Sequence, residues 1–206
     1  MESFVKNNIF NSAVLLGLFV AIGTGVVVLI FDKTHEQIAE SEKQYLLAQL
    51  HAIIKPDEHD NDIYTDTIEI SNTTIIKNPG PVTVYRARKS GEPVAALFTT
   101  YAPDGYNGMI QILVGIYENG SLAGVRIISH QETPGLGDDI DEAKSDWILS
   151  FTGKSLGNPD KRGWQVKKDG GRFDQFTGAT ITPRAVIKAV HNALLYFKAN
   201  KALLFQ

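Results

Sequence analysis

The chain has 206 residues, 43% hydrophobic and 21% charged, with a formal net charge of −3 and a pI near 5.9. That balance suits one folded domain with an accessory segment and excludes both a disordered chain and an overall basic, nucleic-acid-binding one. There is no cysteine, which excludes a disulfide framework, thiolate metal or iron–sulfur sites and a cysteine nucleophile.

From Ile9 to Phe31 the chain carries no charged residue. Roughly 20 apolar residues cross a bilayer core as a helix, so this segment reads as a membrane anchor. It exceeds the ~7–15-residue apolar core of a cleavable signal peptide, and no small-residue cleavage site follows. Lys6 on one side and Lys33 on the other leave orientation undecided by the positive-inside rule. From Lys33, the recurrence of Ile38, Leu46, Leu50, Ile53 and Ile54 predicts an amphipathic connecting helix, ended by Pro56 and a polar acidic loop.

Strand-like segments follow. Ile63 to Lys77 alternates Thr, Ile and acidic residues. Val82 to Arg88 and Pro93 to Thr100 flank Lys89-Ser90-Gly91-Glu92; Met109 to Tyr117 and Leu122 to His130 flank Glu118-Asn119-Gly120-Ser121. Both connections read as hairpins, so the sheet should be mainly antiparallel. Ile140 to Phe151 is expected to be helical and Trp164 to Lys167 strand-like. Pro183 to about Phe205 is expected to form a last helix, with Thr182 as its N-cap. The expected architecture is α+β, divided into a tail (1–8), a transmembrane anchor (9–31), a connecting helix with scaffold strands (32–88) and a site-bearing region (89–206).

The chemistry concentrates in Asp174-Gln175-Phe176-Thr177-Gly178-Ala179-Thr180. Gly178 permits a tight turn or close approach, and Thr180 offers a hydroxyl just before a helix N-terminus, where free N–H groups favour an anion such as phosphate. Arg184 in the first turn is a candidate countercharge. The same residues are also what an ordinary turn and helix start would use.

The string D-x-x-[ST]-G-A-T resembles the flavinylation motif of the FMN-binding domain family. A second block, His130-Gln131-Glu132-Thr133-Pro134-Gly135-Leu136-Gly137, is similar to that family's isoalloxazine-holding loop, and Gly105-Tyr106-Asn107-Gly108 resembles its G-Y-x-G turn. With the N-terminal anchor, the likeness is to G subunits of Rnf-type (Rsx) electron-transport complexes; the C subunit of the sodium-translocating NADH:quinone reductase is the near relative. The resemblance covers about Pro93 to Leu195.

The resemblance implies FMN joined through a phosphoester to Thr180 by a separate flavin transferase. It implies recognition through Asp174, Thr177, Gly178 and Ala179, and flavin contacts from Glu132, Thr133, Gly135, Leu136 and Gly137. It further implies an electron relay with the other subunits of the complex, in a bacterial inner membrane, with the domain in the periplasm. No catalytic residue, metal or nucleic-acid partner is expected, and no stand-alone activity. Two other readings stay open: an anchored FMN-containing redox sensor, and a cofactor-free interaction module whose TGAT is only a helix cap.

Overall fold

The computed structural model describes residues 2–71, 74–78 and 80–206; Met1, Asn72, Thr73 and Pro79 lie outside the described residues. The chain divides into two compact units, Met1–Leu47 and Ala48–Gln206.

The first unit is helix. Helix α1 runs without interruption over Glu2–Ile53, crossing the expected division between anchor and connecting helix. No proline and no helix-ending glycine stands between Asp32 and Ile53, and the Thr34 hydroxyl bonds back to the Ile30 carbonyl at 2.8 Å, within the turn rather than against it. The expected two helices are therefore one. Over its apolar stretch α1 reaches a mean hydropathy of 2.8 with none of that window buried, so it is long and apolar enough to cross a membrane. It ends before Lys55, whose helical conformation Pro56 disfavours.

The second unit is built on a five-stranded antiparallel meander of order β1-β2-β3-β4-β5. The strands are β1 (Thr67–Ile70), β2 (Val82–Lys89), β3 (Glu92–Ala102), β4 (Ile110–Tyr117) and β5 (Leu122–Ser129). Between β2 and β3, Lys89 pairs with Glu92 across Ser90 and Gly91, whose φ values of 54° and 83° give the mirror-image turn that matches strand twist. Between β4 and β5, Gly120 takes φ 86°, and Asn119 Oδ1 accepts from Ser121 N at 2.9 Å. Among the described residues of the stretch Ile63–Lys77, only β1 is strand; residues 74–77 turn, and Ile76 is buried with its carbonyl accepting from Thr100 Oγ1 at 3.0 Å.

The middle strands are apolar on both faces because both are covered. On one face lies helix α2 (Ile181–Leu204), burying Val186, Ala189, Val190, Ala193 and Phe197 against β3 and β4. Tyr196 meets Phe98 edge-on at 5.9 Å. On the other face, Leu50, Ile53 and Ile54 at the end of α1 are buried. Ile53 fills a notch left by Gly115 and Gly124; a Cβ on Gly115 would stand 2.3 Å from Ile53 Cγ2. A glycine inside a strand marks this kind of close approach.

The expected helix over Ile140–Phe151 is two short 3₁₀ helices instead, Gly137–Ile140 and Asp146–Phe151. Asp141 and Ser145 between them are extended, and their side chains take up backbone N–H groups: Asp141 Oδ1 accepts from Ala143 N at 3.1 Å and Ser145 Oγ from Trp147 N at 3.2 Å. Local side-chain bonds of this kind compete with a continuous helix. The expected buried set, Ile140, Trp147, Ile148 and Phe151, is buried nonetheless. Trp164 to Lys167 makes no strand; its one bridge is Val166 with Phe173.

Candidate functional site

Two loops and the first turn of α2, distant in sequence, converge on one carboxyl group. Glu132, at 4% exposure, accepts from Asn107 N at 3.1 Å through Oε1 and from the Thr182 hydroxyl through Oε2. Its own N–H donates to His130 Nδ1 at 3.1 Å, and Asn107 Nδ2 donates to Thr133 Oγ1 at 3.0 Å. Two glycines make the approach possible. A Cβ on Gly105 would stand 2.9 Å from Glu132 Oε1, and one on Gly137 would stand 2.9 Å from both Glu132 Oε2 and Thr182 Oγ1.

Beyond Glu132 the loop closes on itself. The Thr133 carbonyl accepts from the N–H groups of Leu136 and Gly137, each at 3.1 Å, a turn that Gly135 permits with φ 75°. A second turn precedes α2: Ala179 N donates to Phe176 O at 3.2 Å across Gly178, whose φ is 80°. Leu136 Cδ2 lies 3.4 Å from where a Gly178 Cβ would be, so the two loops face each other closely.

Between them opens a cleft of about 260 Å³. It is lined by Tyr106 from the first loop, by Glu132, Thr133, Leu136 and Gly137 from the second, and by residues 178–182. Its rim is apolar and open: Tyr106 is 66%, Leu136 42% and Ile181 48% exposed. A volume slightly below the roughly 300–1,000 Å³ of sites that engulf a whole ligand fits part of a large flat group laid along that rim.

Thr180 occupies the N-cap position of α2 but has helical angles, φ −80° and ψ −24°, and its side chain makes no capping bond. Thr182, expected as the cap, lies inside the first turn, fully buried, with its hydroxyl committed to Glu132. The helix N-terminus at the cleft thus keeps its free N–H groups, and the Thr180 hydroxyl is left unused by the helix. Pro183 still falls in the first turn, where its missing N–H costs nothing.

Of the ten residues singled out from sequence, seven line this cleft: Glu132, Thr133, Leu136, Gly137, Gly178, Ala179 and Thr180. Asp174, Thr177 and Gly135 are exposed and line none of it. Asp174 pairs with Lys167 Nζ at 2.5 Å, and its carbonyl accepts from Trp147 Nε1 at 2.8 Å. Arg184, the candidate countercharge, forms a two-bond pair with Asp169 at 2.6 and 2.7 Å. That bond holds the Asp169 carboxyl below its ordinary range and raises Arg184. Ile181 and Thr182 were missed as site residues, because an exposed apolar residue at a helix start and a threonine after it read as ordinary helix-start residues.

The cleft suits the group implied by the motifs: an unused hydroxyl, an anion-accepting helix start and an open apolar rim for a flat ring. In agreement, the FMN-binding domain family matches residues 105–195, and the RnfG N-terminal region matches residues 1–53. The chain therefore carries an FMN-binding domain together with an N-terminal helix long and apolar enough to cross a membrane. The chain is 46% identical to the G subunit of the ion-translocating oxidoreductase complex of Shewanella baltica, over 98% of this chain and 95% of that one. It is 45% identical to the corresponding G subunit from Pseudomonas aeruginosa (98% and 94% covered) and 48% identical to that of Shewanella loihica (97% and 94%). The chain belongs to the family of G subunits of ion-translocating oxidoreductase complexes.

Proposed function

We propose that this chain is the electron-carrying subunit of a membrane-bound, Rnf-type ion-translocating oxidoreductase, holding FMN as a phosphoester on Thr180. Support comes chiefly from one juxtaposition: the hydroxyl of Thr180, which makes no capping bond, stands at the start of α2 on the wall of a cleft also lined by the Glu132–Gly137 loop. When bound, the flavin supplies one- and two-electron redox chemistry. Thr180 would carry the ester, the first N–H groups of α2 would donate to the phosphate oxygens, and Tyr106, Leu136 and Ile181 would lie against the ring. Glu132 fixes the loops through its bonds from Asn107 N and the Thr182 hydroxyl.

The ester forms with no change of oxidation state. Thr180 Oγ makes a new bond to phosphorus as a phosphoanhydride bond of an activated flavin nucleotide breaks, and the hydroxyl proton leaves with the departing nucleotide. A flavin transferase catalyses this step, and the other subunits of the complex are the electron donor and acceptor. We place the domain in the periplasm and α1 in the bacterial inner membrane. A covalent tether is of most use where lost FMN is not replenished.

Intact mass tests the reading. Protein matured with the transferase gains one FMN less water, ~438 Da for a phosphoester on a hydroxyl, and the Thr180→Ala variant gains nothing. An unmodified wild-type chain, beside a transferase active on another acceptor, would sink the ester and leave a non-covalent FMN domain.

A further inference from the structure

A basic surface adjoins the motif and takes no part in the cleft. Between residues 154 and 172 six lysines and arginines accompany two aspartates, in a chain whose net charge is −3. Lys161, Arg162 and Arg172 are exposed and have no carboxylate partner among the described residues, whereas Lys168 acts on the neighbouring Asp169 carboxylate. The contrast is sharpest for arginine. Arg86, Arg88, Arg126 and Arg184 are all ion-paired, whereas Arg162 and Arg172 are not.

These cations are held together by backbone. Arg172 N donates to Gly163 O at 2.9 Å, next to Arg162, and Phe173 N and Gly171 N bond to Gln165 O and Val166 O at 3.2 and 3.0 Å. They are also fixed to the flavinylation motif. Lys167 pairs with Asp174, and Lys168 N donates to Gln175 Oε1 at 3.2 Å. Basic loop and motif stand on one aromatic base, with Phe151 stacked on Phe173 at 4.6 Å and Trp147 edge-on to Phe176 at 5.2 Å.

Asp174 and Thr177 lie outside the cleft, so their side chains are positioned to be read from outside rather than to hold FMN. We propose that Lys161, Arg162 and Arg172 extend that exterior surface and dock an acidic face of the flavin transferase, guiding it to Thr180. The proposal rests on the Thr180 ester. Unpaired cations at a docking rim act mainly on encounter rate and lose force with salt, which sets them apart from residues that position the reacting hydroxyl.

The test is the rate of flavin incorporation into the detergent-solubilised full chain by its transferase, comparing wild type with Arg162→Glu/Arg172→Glu. An unchanged melting temperature verifies the fold of the variant. The expected result is a kcat/KM lowered roughly tenfold or more at low salt with kcat near wild type, a salt dependence that is steep for wild type and flat for the variant, and recovery in Arg162→Lys/Arg172→Lys. Equal kcat/KM for wild type and variant, with wild type insensitive to salt, overturns the docking surface alone. So does a variant flavinylated normally that passes electrons poorly in the assembled complex, which moves the surface to a redox subunit. A wild-type chain that takes up no flavin sinks the Thr180 ester and the docking surface with it.

Discussion

Thr182 and Gly137 meet on the same oxygen of Glu132, and that meeting dictates what each position tolerates. Thr182→Val keeps the volume but removes the donor to a buried acceptor, which costs about 1–3 kcal/mol; Thr182→Ser retains the bond and most of the stability. Urea unfolding of the three proteins checks this. Gly137→Ala places a Cβ 2.9 Å from two oxygens at once, and overpacking of that kind costs about 1–3 kcal/mol, read in the same experiment. Arg184, bound to Asp169, is not at the cleft. Arg184→Ala is therefore expected to incorporate FMN to the wild-type extent, measured as the flavin-to-protein ratio.

At the scale of elements, the end of α1 meets the sheet through one close fit. Ile53, 6% exposed, sits in the Gly115–Gly124 notch, while Arg126 Nη2 donates to the Ala52 carbonyl at 2.8 Å and closes the helix end. Ile53→Ala is expected to destabilise the domain by about 2–4 kcal/mol, seen as a lower urea midpoint. The loop that follows contributes a pH dependence. Tyr117, at the end of β4, is pushed up to about 12 from 10.0, first by burial and then by its hydrogen bond to Glu58 at 2.7 Å. A folded-state pKa above the unfolded one favours the protonated fold, so this contribution is whole below pH 10 and is lost as pH rises towards 12. Tyr117→Phe flattens that limb of the stability–pH curve; an unchanged limb would refute the assignment. The helical period over Ile140–Phe151 identified the buried side chains but not the backbone, since Asp141 and Ser145 divert N–H groups that a continuous helix needs.

For the whole molecule, the cysteine-free sequence makes orientation directly measurable. A single cysteine at exposed Lys198 on α2 is expected to react with a membrane-impermeant maleimide in intact spheroplasts. Protection until the membrane is opened would place the domain in the cytoplasm. Sequence by itself determined the anchor, the antiparallel sheet and the last helix. Each follows from local order: an unbroken apolar run, alternation punctuated by turn residues, and an apolar stripe at helical period. It also supplied the loops of the cleft, because glycines needed for tight turns leave a legible string. Tertiary structure decided what those residues face. Only folding brings Asn107, Glu132 and Thr182 onto one buried carboxyl group, takes Thr182 away from capping, leaves the Thr180 hydroxyl unused and turns Arg184 towards Asp169. Those outcomes depend on close approach between segments some 15 to 50 residues apart, and no local spacing records which distant partner a polar side chain finds.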